Sequence, residues 1–215
     1  MDTADDTWYK CGVKLVCLDL EGVLVPEIWI SVAEKTGIDD LRLTTRDITD
    51  YDELMRRRIE ILTRNHIGLD DIRSVIATIN PLPGASRFLD TLRASRQVVI
   101  LSDTFVQFAD SLMDQLGRPT LFCNELVVDS TGMIRRYKLR QQDGKKRAVD
   151  AFRSIGLEVT AVGDSYNDLS MIMAADHGAL FRAPDRIATE FPDLPRFVEY
   201  DELLAFLLNH AKSHA

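Results

Sequence analysis

The sequence has few cysteines, no long apolar run and no excess of positive charge, and each absence excludes a class of protein. Three scattered cysteines among 215 residues form no disulfide framework, which indicates a reducing compartment, so we expect a cytoplasmic protein. No apolar run reaches the length of a membrane span. The acidic N-terminal segment lacks the basic start and apolar core of a signal peptide, and we expect no membrane partner.

Basic residues are outnumbered by acidic ones. There are 26 Lys and Arg against 34 Asp and Glu, for a formal charge of −8 and a pI of about 5.0. A general nucleic-acid binder needs an excess of positive charge to displace counterions from the backbone, so we expect no nucleic-acid partner. The four histidines show no metal-ligand spacing, and we assign them no chemistry.

Apolar strands and helices alternate over most of the chain, which predicts an α/β fold with a doubly wound parallel sheet. The first strand, residues 14–18, has a continuous apolar run after Lys14, as expected for a parallel strand covered on both faces. Further strands are predicted at residues 98–101, 121–122, 159–162 and 179–181. Residues 126–129 and 133–139 flank the turn signal at 130–132 and predict a hairpin.

Only helices are predicted between the first strand and the turn at residues 81–84. They cover residues 27–35, 50–64 and 70–79, with Asp70 as the N-cap of the third. We therefore predict three parts: an N-terminal extension (1–13), a core domain (14–25 and 81–215) and a helical insert (26–80).

Polar side chains follow three of the predicted strands. They are Asp19 with Glu21, Ser102 with Asp103 and Thr104, and Asp164 with Asp168. The carboxyl ends of strands in an open parallel sheet line one crevice. We therefore expect these groups to meet although they are far apart in the sequence.

A carboxylate that attacks a phosphoryl group needs a cation to offset its charge and a partner that carries protons. Asp19 and Glu21 supply a candidate nucleophile and a candidate acid and base, and the alternative is a solvated acidic loop. Asp164 and Asp168, in the stretch GDSYND, can hold Mg²⁺ through oxygen ligands. The alternative for that stretch is a turn followed by a helix cap.

A transferring phosphoryl group also needs donors for its oxygens. Ser102 is the hydroxyl candidate, and Lys145, at a predicted helix start, is the cation candidate. A cation is disfavoured by the helix dipole at that position, which indicates a local reason for it. Lys146 is adjacent and offers the same group, and a solvated surface position is the alternative for either lysine.

Arg58 interrupts the apolar stripe of the second predicted helix. The stripe consists of Tyr51, Leu54, Met55, Ile59 and Leu62. An arginine in the middle of such a stripe reaches water along the helix surface, pairs with an acid of the chain, or receives a substrate carboxylate through two parallel hydrogen bonds. The spacing alone leaves these three options open.

The motifs resemble those of the haloacid dehalogenase (HAD) phosphatase superfamily. DLEGV, the strand-end Ser102, a lysine at a helix start and GDSYND occur in the order of its four motifs, and the resemblance covers the chain after Val13. The helical insert resembles the small cap of the phosphoserine phosphatases. DLEGVLVPEIW and LSDTF are most similar to the phosphoserine phosphatase / homoserine phosphotransferase (ThrH-type) branch.

The resemblance implies a role for each motif residue. Asp19 would form an aspartyl phosphate, and Glu21 would be the general acid and base, with its backbone carbonyl on Mg²⁺. Asp19, Asp164 and Asp168 would complete the metal site, while Ser102 and Lys145 would hold the phosphoryl oxygens. The cap residues Glu27 and Arg58 would receive the amino and carboxylate groups of the substrate. The expected substrate pocket also contains Tyr51, Asp103, Thr104 and Asn167.

The implied activity is Mg²⁺-dependent hydrolysis of O-phosphoserine, with phosphoryl transfer to homoserine as a second activity. The sequence departs from the family's motifs at two places: Glu21 replaces the usual Asp, and Ser102-Asp103-Thr104 replaces the usual Ser-Gly-Gly. Three alternatives remain, namely a HAD phosphatase for another small phosphate ester, a receiver-type signalling domain that accepts phosphate on an Asp, and a non-catalytic phosphate-binding protein. Monomer and homodimer are both open.

Overall fold

The computed structural model describes residues 13–44, 47–48 and 50–209. Residues 1–12, most of the predicted N-terminal extension, lie outside this range. The described strands form one seven-stranded sheet in the order β4-β3-β2-β1-β5-β6-β7. They are β1 (Lys14–Leu18), β2 (Gln97–Phe105), β3 (Thr120–Val128), β4 (Ile134–Lys138), β5 (Glu158–Gly163), β6 (His177–Phe181) and β7 (Arg196–Phe197). All neighbouring pairs are parallel except β3 and β4, which form the predicted antiparallel hairpin.

Helices cover both faces of the sheet, which confirms the predicted doubly wound α/β class. They are α1 (Ile28–Thr36), α2 (Tyr51–Arg64), α3 (Leu69–Ile76), α4 (Ala85–Arg93), α5 (Val106–Gln115), α6 (Gly144–Ser154), α7 (Leu169–Ala174), α8 (Asp185–Glu190) and α9 (Tyr200–Asn209). Two 3₁₀ turns, Asp39–Arg42 and Tyr166–Asp168, complete the described elements. Within the described residues, none of the helices is both long and apolar enough to cross a bilayer.

The side chains of β1 alternate between two buried layers. Val16 and Leu18 point into a core shared with α4, α5 and α9, whereas Leu15 and Cys17 point into a second core shared with α6, α7 and α8. Strand alternation produces this division, and it explains why residues 15–18 are all apolar. The central strand is thereby anchored on both faces, and its carboxyl end is fixed where Asp19 begins.

The helices of the predicted insert pack onto the first of these cores. Trp29 of α1 makes an edge-on contact with Phe108 of α5, with ring centroids 5.9 Å apart. Helix α2 lies against β4, and α3 lies against α5. The insert therefore sits beside the carboxyl end of β1; its division from the core at residues 26 and 80 stays a prediction.

Several predicted boundaries are wrong. Strand β2 does not end at Leu101 but continues to Phe105 through a register shift, so that Ser102 lies within an irregular strand. The two runs at residues 121–122 and 126–129 are one strand, β3, because its partly polar middle is held by ladder pairing to β2 and β4. Helix α3 begins at Leu69 with Gly68 as its N-cap, because the Asp71 carboxylate accepts a hydrogen bond from the Gly68 amide.

Two elements near the end of the chain were not predicted. Helix α8 has six residues and β7 has two. Ile187 is the only buried residue of α8, so the helix carries no apolar stripe that periodicity could detect. Both elements form because the end of the sheet supplies their partners.

Tyr200, at the start of α9, is tied to the turn that follows β1. Its hydroxyl donates a 2.6 Å hydrogen bond to the carbonyl of Val23, and both residues are buried. Its ring packs between Phe88 and Phe181, at centroid distances of 4.9 and 4.7 Å. The last described helix thus braces the first turn of the chain.

We expect Tyr200→Phe to reduce the free energy of unfolding by about 1–3 kcal/mol, because it leaves the buried Val23 carbonyl without its donor. Urea denaturation measures this loss. The matched control is Tyr166→Phe, whose hydroxyl bonds Glu190 at the exposed surface, and which should change stability by less than about 0.5 kcal/mol. Equal losses in the two variants would contradict the assignment.

Candidate active site

The turn after β1 presents two acids. The Asp19 amide donates to Val162 of β5, and its Oδ1 accepts a 2.8 Å bond from the Leu20 amide, so the side chain is held at the strand end. Gly22 then takes a left-handed φ of 76°, which lets the chain fold back. Glu21 points toward the insert, where its Oε2 accepts a 2.8 Å bond from the Ile28 amide at the start of α1.

The pKa of Glu21 is raised to about 7, and burial of its carboxyl group is the largest cause. The neighbouring Glu27 carboxylate raises it further, and the Ile28 amide and Arg58 partly oppose the rise. A carboxyl group with a pKa near neutrality is present in both protonation states at pH 7. Glu21 is therefore suited to both giving and taking a proton.

The loop after β5 holds the second pair of acids. Asp168 is fully buried, and its Oδ2 accepts bonds from the amides of Asp164 and Ser165 and from the Ser165 hydroxyl, at 3.0–3.1 Å. Gly163 allows this close approach, since a Cβ there would overlap the Asp168 side chain. Asp168 thus orders the turn that carries Asp164.

Lys145, at the start of α6, joins these elements. Its ammonium lies 2.7 Å from Asp168 Oδ1, 2.9 Å from Asp19 Oδ1 and 3.6 Å from Asp103 Oδ2. Burial acts to lower the pKa of Lys145, but the three carboxylates outweigh it and the pKa is raised well above its usual range. Lys145 is therefore charged at neutral pH, and Lys146 instead pairs with Asp150 at the surface, 2.7 Å away.

The buried acids at this sheet edge have the arrangement that a cation needs. One carboxylate oxygen from each of Asp19, Asp164 and Asp168 lies within 4.8 Å of the others. Burial and the Asp168 charge raise the pKa of Asp19 well above its usual range, although Lys145 opposes them. A bound divalent cation relieves this excess of negative charge, and carboxylates are its preferred ligands, so the residues present fit such an ion.

The predicted metal ligands differ in how far their side-chain oxygens are already hydrogen-bonded. Both oxygens of Asp168 already accept hydrogen bonds, one from Lys145 and one from the turn at residues 164–165. The Glu21 carboxylate is not part of the cluster found among the described residues, and the role of its backbone carbonyl as a ligand stays a prediction. Asp168 therefore positions the turn at residues 164–165, and its role as a metal ligand stays a prediction.

The irregular part of β2 brings its polar residues to the same edge. The Thr104 amide donates a 3.2 Å bond to the Ser102 hydroxyl, and both side chains are buried. The Asp103 carbonyl accepts bonds from the Tyr51 hydroxyl of α2 and the Asn124 amide group of β3, both at 3.2 Å. The register shift thus turns this segment toward Lys145.

Arg58 is held below the surface of the insert. Its guanidinium stacks on Trp29 at 4.5 Å and donates to the Leu43 carbonyl at 2.8 Å. It is 7% exposed, which excludes the option that it reaches water. Burial lowers the pKa of Arg58 to about 10. Its Nη1 contacts the Met55 sulfur at 3.7 Å, whereas its buried Nε has no hydrogen-bond partner among the described residues.

One cavity connects these groups. Every residue predicted for the site lines it except Asp168, which lies behind the wall. Glu27 lines it from just before α1, and Asn167 lines it from the 3₁₀ turn. The structure therefore brings the predicted residues together, although it assigns no role to any of them.

A sequence profile identifies the family. The profile of the haloacid dehalogenase-like hydrolases matches residues 13–176. This chain belongs to that family. The match confirms the resemblance found in the motifs and makes the chain a hydrolase.

Two curated relatives are similar over most of the chain. A phosphoserine phosphatase of Pseudomonas syringae pv. tomato is 55% identical over 194 residues, which cover 90% of this chain and 82% of the relative. The phosphoserine phosphatase ThrH of Pseudomonas aeruginosa is 53% identical over 191 residues, covering 89% and 93%. The second relative carries the name of the ThrH-type branch that the motifs resemble.

Solved structures share the fold of this hydrolase at lower identity. A phospho-aspartyl intermediate analogue of phosphoserine phosphatase superimposes with a TM-score of 0.76 at 21% identity, covering 91% of this chain and 99% of the other. A substrate-bound phosphoserine phosphatase complex gives 0.74 at 22% identity, covering 90% and 98%. These likenesses confirm the predicted core architecture.

Sequence reasoning missed several residues of this hydrolase's cavity. The missed lining residues are Trp29, Thr44, Leu54 and Ser165. It also missed Asn124, which is buried and fixes the Asp103 peptide. A polar residue inside the apolar run LFCNELVV was the available signal for Asn124, whereas no local pattern pairs Trp29 with Arg58.

We expect Gly22→Ala to disrupt the site, because a Cβ at this position would overlap the Asp164 carboxylate. Gly37→Ala is the matched control, since Gly37 has a similar φ of 72° but no atom within 4 Å of the added carbon. Gly37→Ala should lose about 1 kcal/mol of unfolding free energy from backbone strain, and Gly22→Ala should lose more. Urea denaturation compares them, and equal losses would refute the proposed close contact.

Proposed function

We propose that this hydrolase is a phosphoserine phosphatase that forms an aspartyl phosphate on Asp19. One observation carries the proposal: a single cavity is lined by Asp19 and Lys145 at the sheet edge and by the buried Arg58 of the insert. The first two suit a phosphoryl group, and the third suits a carboxylate. Two relatives above 50% identity that are named phosphoserine phosphatases support the same substrate.

The reaction proceeds in two steps at Asp19. In the first, a carboxylate oxygen of Asp19 attacks phosphorus, the bond to the serine oxygen breaks, and that oxygen takes the proton of Glu21. In the second, water gives a proton to Glu21 and attacks phosphorus, which releases inorganic phosphate and restores Asp19. Lys145 and the Ser102 hydroxyl lie at the same sheet edge and stabilise the charge on the phosphoryl oxygens in both steps.

The metal of this proposal is Mg²⁺. Asp19, Asp164 and Asp168, together with the Glu21 carbonyl, would hold it, and it would supply positive charge that lets an anionic carboxylate approach an anionic phosphate. The buried cluster of carboxylate oxygens supports this choice, because a hard cation prefers oxygen ligands.

In this proposal the insert, residues 26–80, is a cap domain that recognises the substrate. Arg58 pairs with the substrate carboxylate, and Glu27 receives the amino group; the Nε of Arg58, which has no hydrogen-bond partner among the described residues, supports this role. Tyr51, Asp103, Thr104 and Asn167 complete the pocket wall. The cytoplasmic location belongs to the same proposal, supported by Cys17 and Cys123, which are free thiols.

Transfer to homoserine is the second proposed activity. It requires an alcohol in place of water in the second step, with Glu21 accepting the proton from its hydroxyl. The polar, partly open cavity and the pKa of Glu21 near 7 support both acceptors. A receiver-type signalling domain is disfavoured, because it has no helical insert beside the acceptor and no second acid placed to resolve the phosphoenzyme.

We expect Arg58→Ala to raise the KM for O-phosphoserine by about 100-fold, because a buried charge-assisted pair is lost. The KM for O-phosphoethanolamine, which has no carboxylate, should change little. Arg57→Ala, one residue away and exposed, is the control and should leave both KM values as in the wild type. Steady-state kinetics on both substrates measures the effect, and equal effects of Arg58→Ala on both would remove Arg58 from the substrate site.

A single assay tests the metal and the acceptor together. After chelation and dialysis, the enzyme should release no phosphate from O-phosphoserine, and Mg²⁺ should restore the release. With Mg²⁺ and homoserine, phosphohomoserine should form and phosphate release should fall by the same amount. Full turnover in chelator would refute the metal proposal, and phosphate release with no phosphohomoserine would restrict the enzyme to hydrolysis.

A further inference from the structure

Asp103 lies where two cavities meet. It lines the cavity described above and a neighbouring one formed by the loop at residues 139–144 and the 3₁₀ turn Tyr166–Asp168. Its side chain is 42% exposed, and its Oδ2 lies 3.6 Å from the Lys145 ammonium. A ligand that approaches Lys145 therefore passes beside this carboxylate.

Partly buried hydrogen bonds hold the Asp103 peptide in place. Its carbonyl accepts from the Tyr51 hydroxyl and from Asn124, and Asn124 in turn accepts from the Arg140 amide at 3.0 Å. Asn124 is 6% exposed, and burying such a side chain is favourable only when its polar atoms are bonded. The backbone of Asp103 is thus fixed by α2, β3 and the chain before α6, and its carboxylate lies beside Lys145.

The cavity has more carboxylates than cations, and Asp103 adds to this excess of negative charge. Among the described residues, six carboxylates lie in or behind the wall, against the two cations Lys145 and Arg58. Asp19, Asp164 and Asp168 serve phosphoryl transfer and the cation, and Glu21 serves proton transfer. Asp103 has no part in these steps, yet it adds a negative charge beside the lysine that a phosphate must approach. A plain phosphate dianion is repelled by it.

We propose that Asp103 is a specificity-determining residue that selects phosphate esters carrying an ammonium group over esters without one and over inorganic phosphate. The inference rests on the proposed phosphoserine phosphatase activity. The ammonium of a zwitterionic substrate offsets the Asp103 charge within the cavity, whether or not the two groups touch. The Asp103 carboxylate repels an ester without that ammonium, and it repels the phosphate product in the same way. Asp103 therefore also speeds product release.

The test compares O-phosphoserine with 3-(phosphonooxy)propanoate, which differs only in lacking the amino group. In Asp103→Asn, which keeps the shape and removes the charge, the ratio of the two kcat/KM values should fall about tenfold. The fall should come mainly from better use of the amino-free ester. Calorimetric titration with inorganic phosphate in the presence of Mg²⁺ should show about tenfold tighter binding to Asp103→Asn than to the wild type.

Asp143→Asn is the matched control. Asp143 lines the neighbouring cavity but not the one that holds Asp19 and Lys145, and its left-handed backbone, φ 48°, accepts asparagine. This variant should keep the wild-type ratio and phosphate affinity. An unchanged ratio and affinity in Asp103→Asn would overturn the inference, as would an equal loss on both esters. If Glu27→Gln loses the preference for O-phosphoserine and Asp103→Asn keeps it, the selection belongs to Glu27. A wild type that does not hydrolyse O-phosphoserine refutes the proposed function itself, which separates the two failures.

Discussion

The contact of Lys145 with Asp19 and Asp168 is the constraint on which the site depends. One ammonium, at 2.9 and 2.7 Å from the two carboxylates, joins the end of β1, the loop after β5 and the start of α6. Buried carboxylates at such short separations repel one another, and a lysine between them makes the arrangement tolerable. Because Asp168 also orders the turn at residues 164–165, the same lysine indirectly positions Asp164.

The sequence predicts the core because the information for it is local. Continuous apolar runs mark the buried parallel strands, and the polar residues that follow them mark the sheet edge. That rule alone placed Asp19, Ser102 and Asp164 in one cavity. The choice between Lys145 and Lys146 depended on the phase of a helix start, and only the structure shows that Lys145 faces the acids while Lys146 faces Asp150.

What the sequence did not predict depends on contacts between distant segments. The register shift in β2 arises from pairing with β3, and it decides where Asp103 points. Arg58 was recognised as an anomaly in an apolar stripe, but its stacking on Trp29 and its bond to Leu43 join segments that no periodicity relates. The brace from Tyr200 to Val23 spans 177 positions. The first two place residues in the cavity wall, whereas the third anchors the turn after β1.

The central claim is that Asp19 becomes covalently phosphorylated, and trapping the phosphoenzyme tests it most directly. The enzyme is mixed with phosphate-labelled O-phosphoserine and Mg²⁺, quenched in acid within one turnover, and digested for mass spectrometry. The account predicts label on the peptide that contains Asp19, and none in an Asp19→Asn variant treated in the same way. Label on another residue, or turnover with no labelled protein at any quench time, would contradict it.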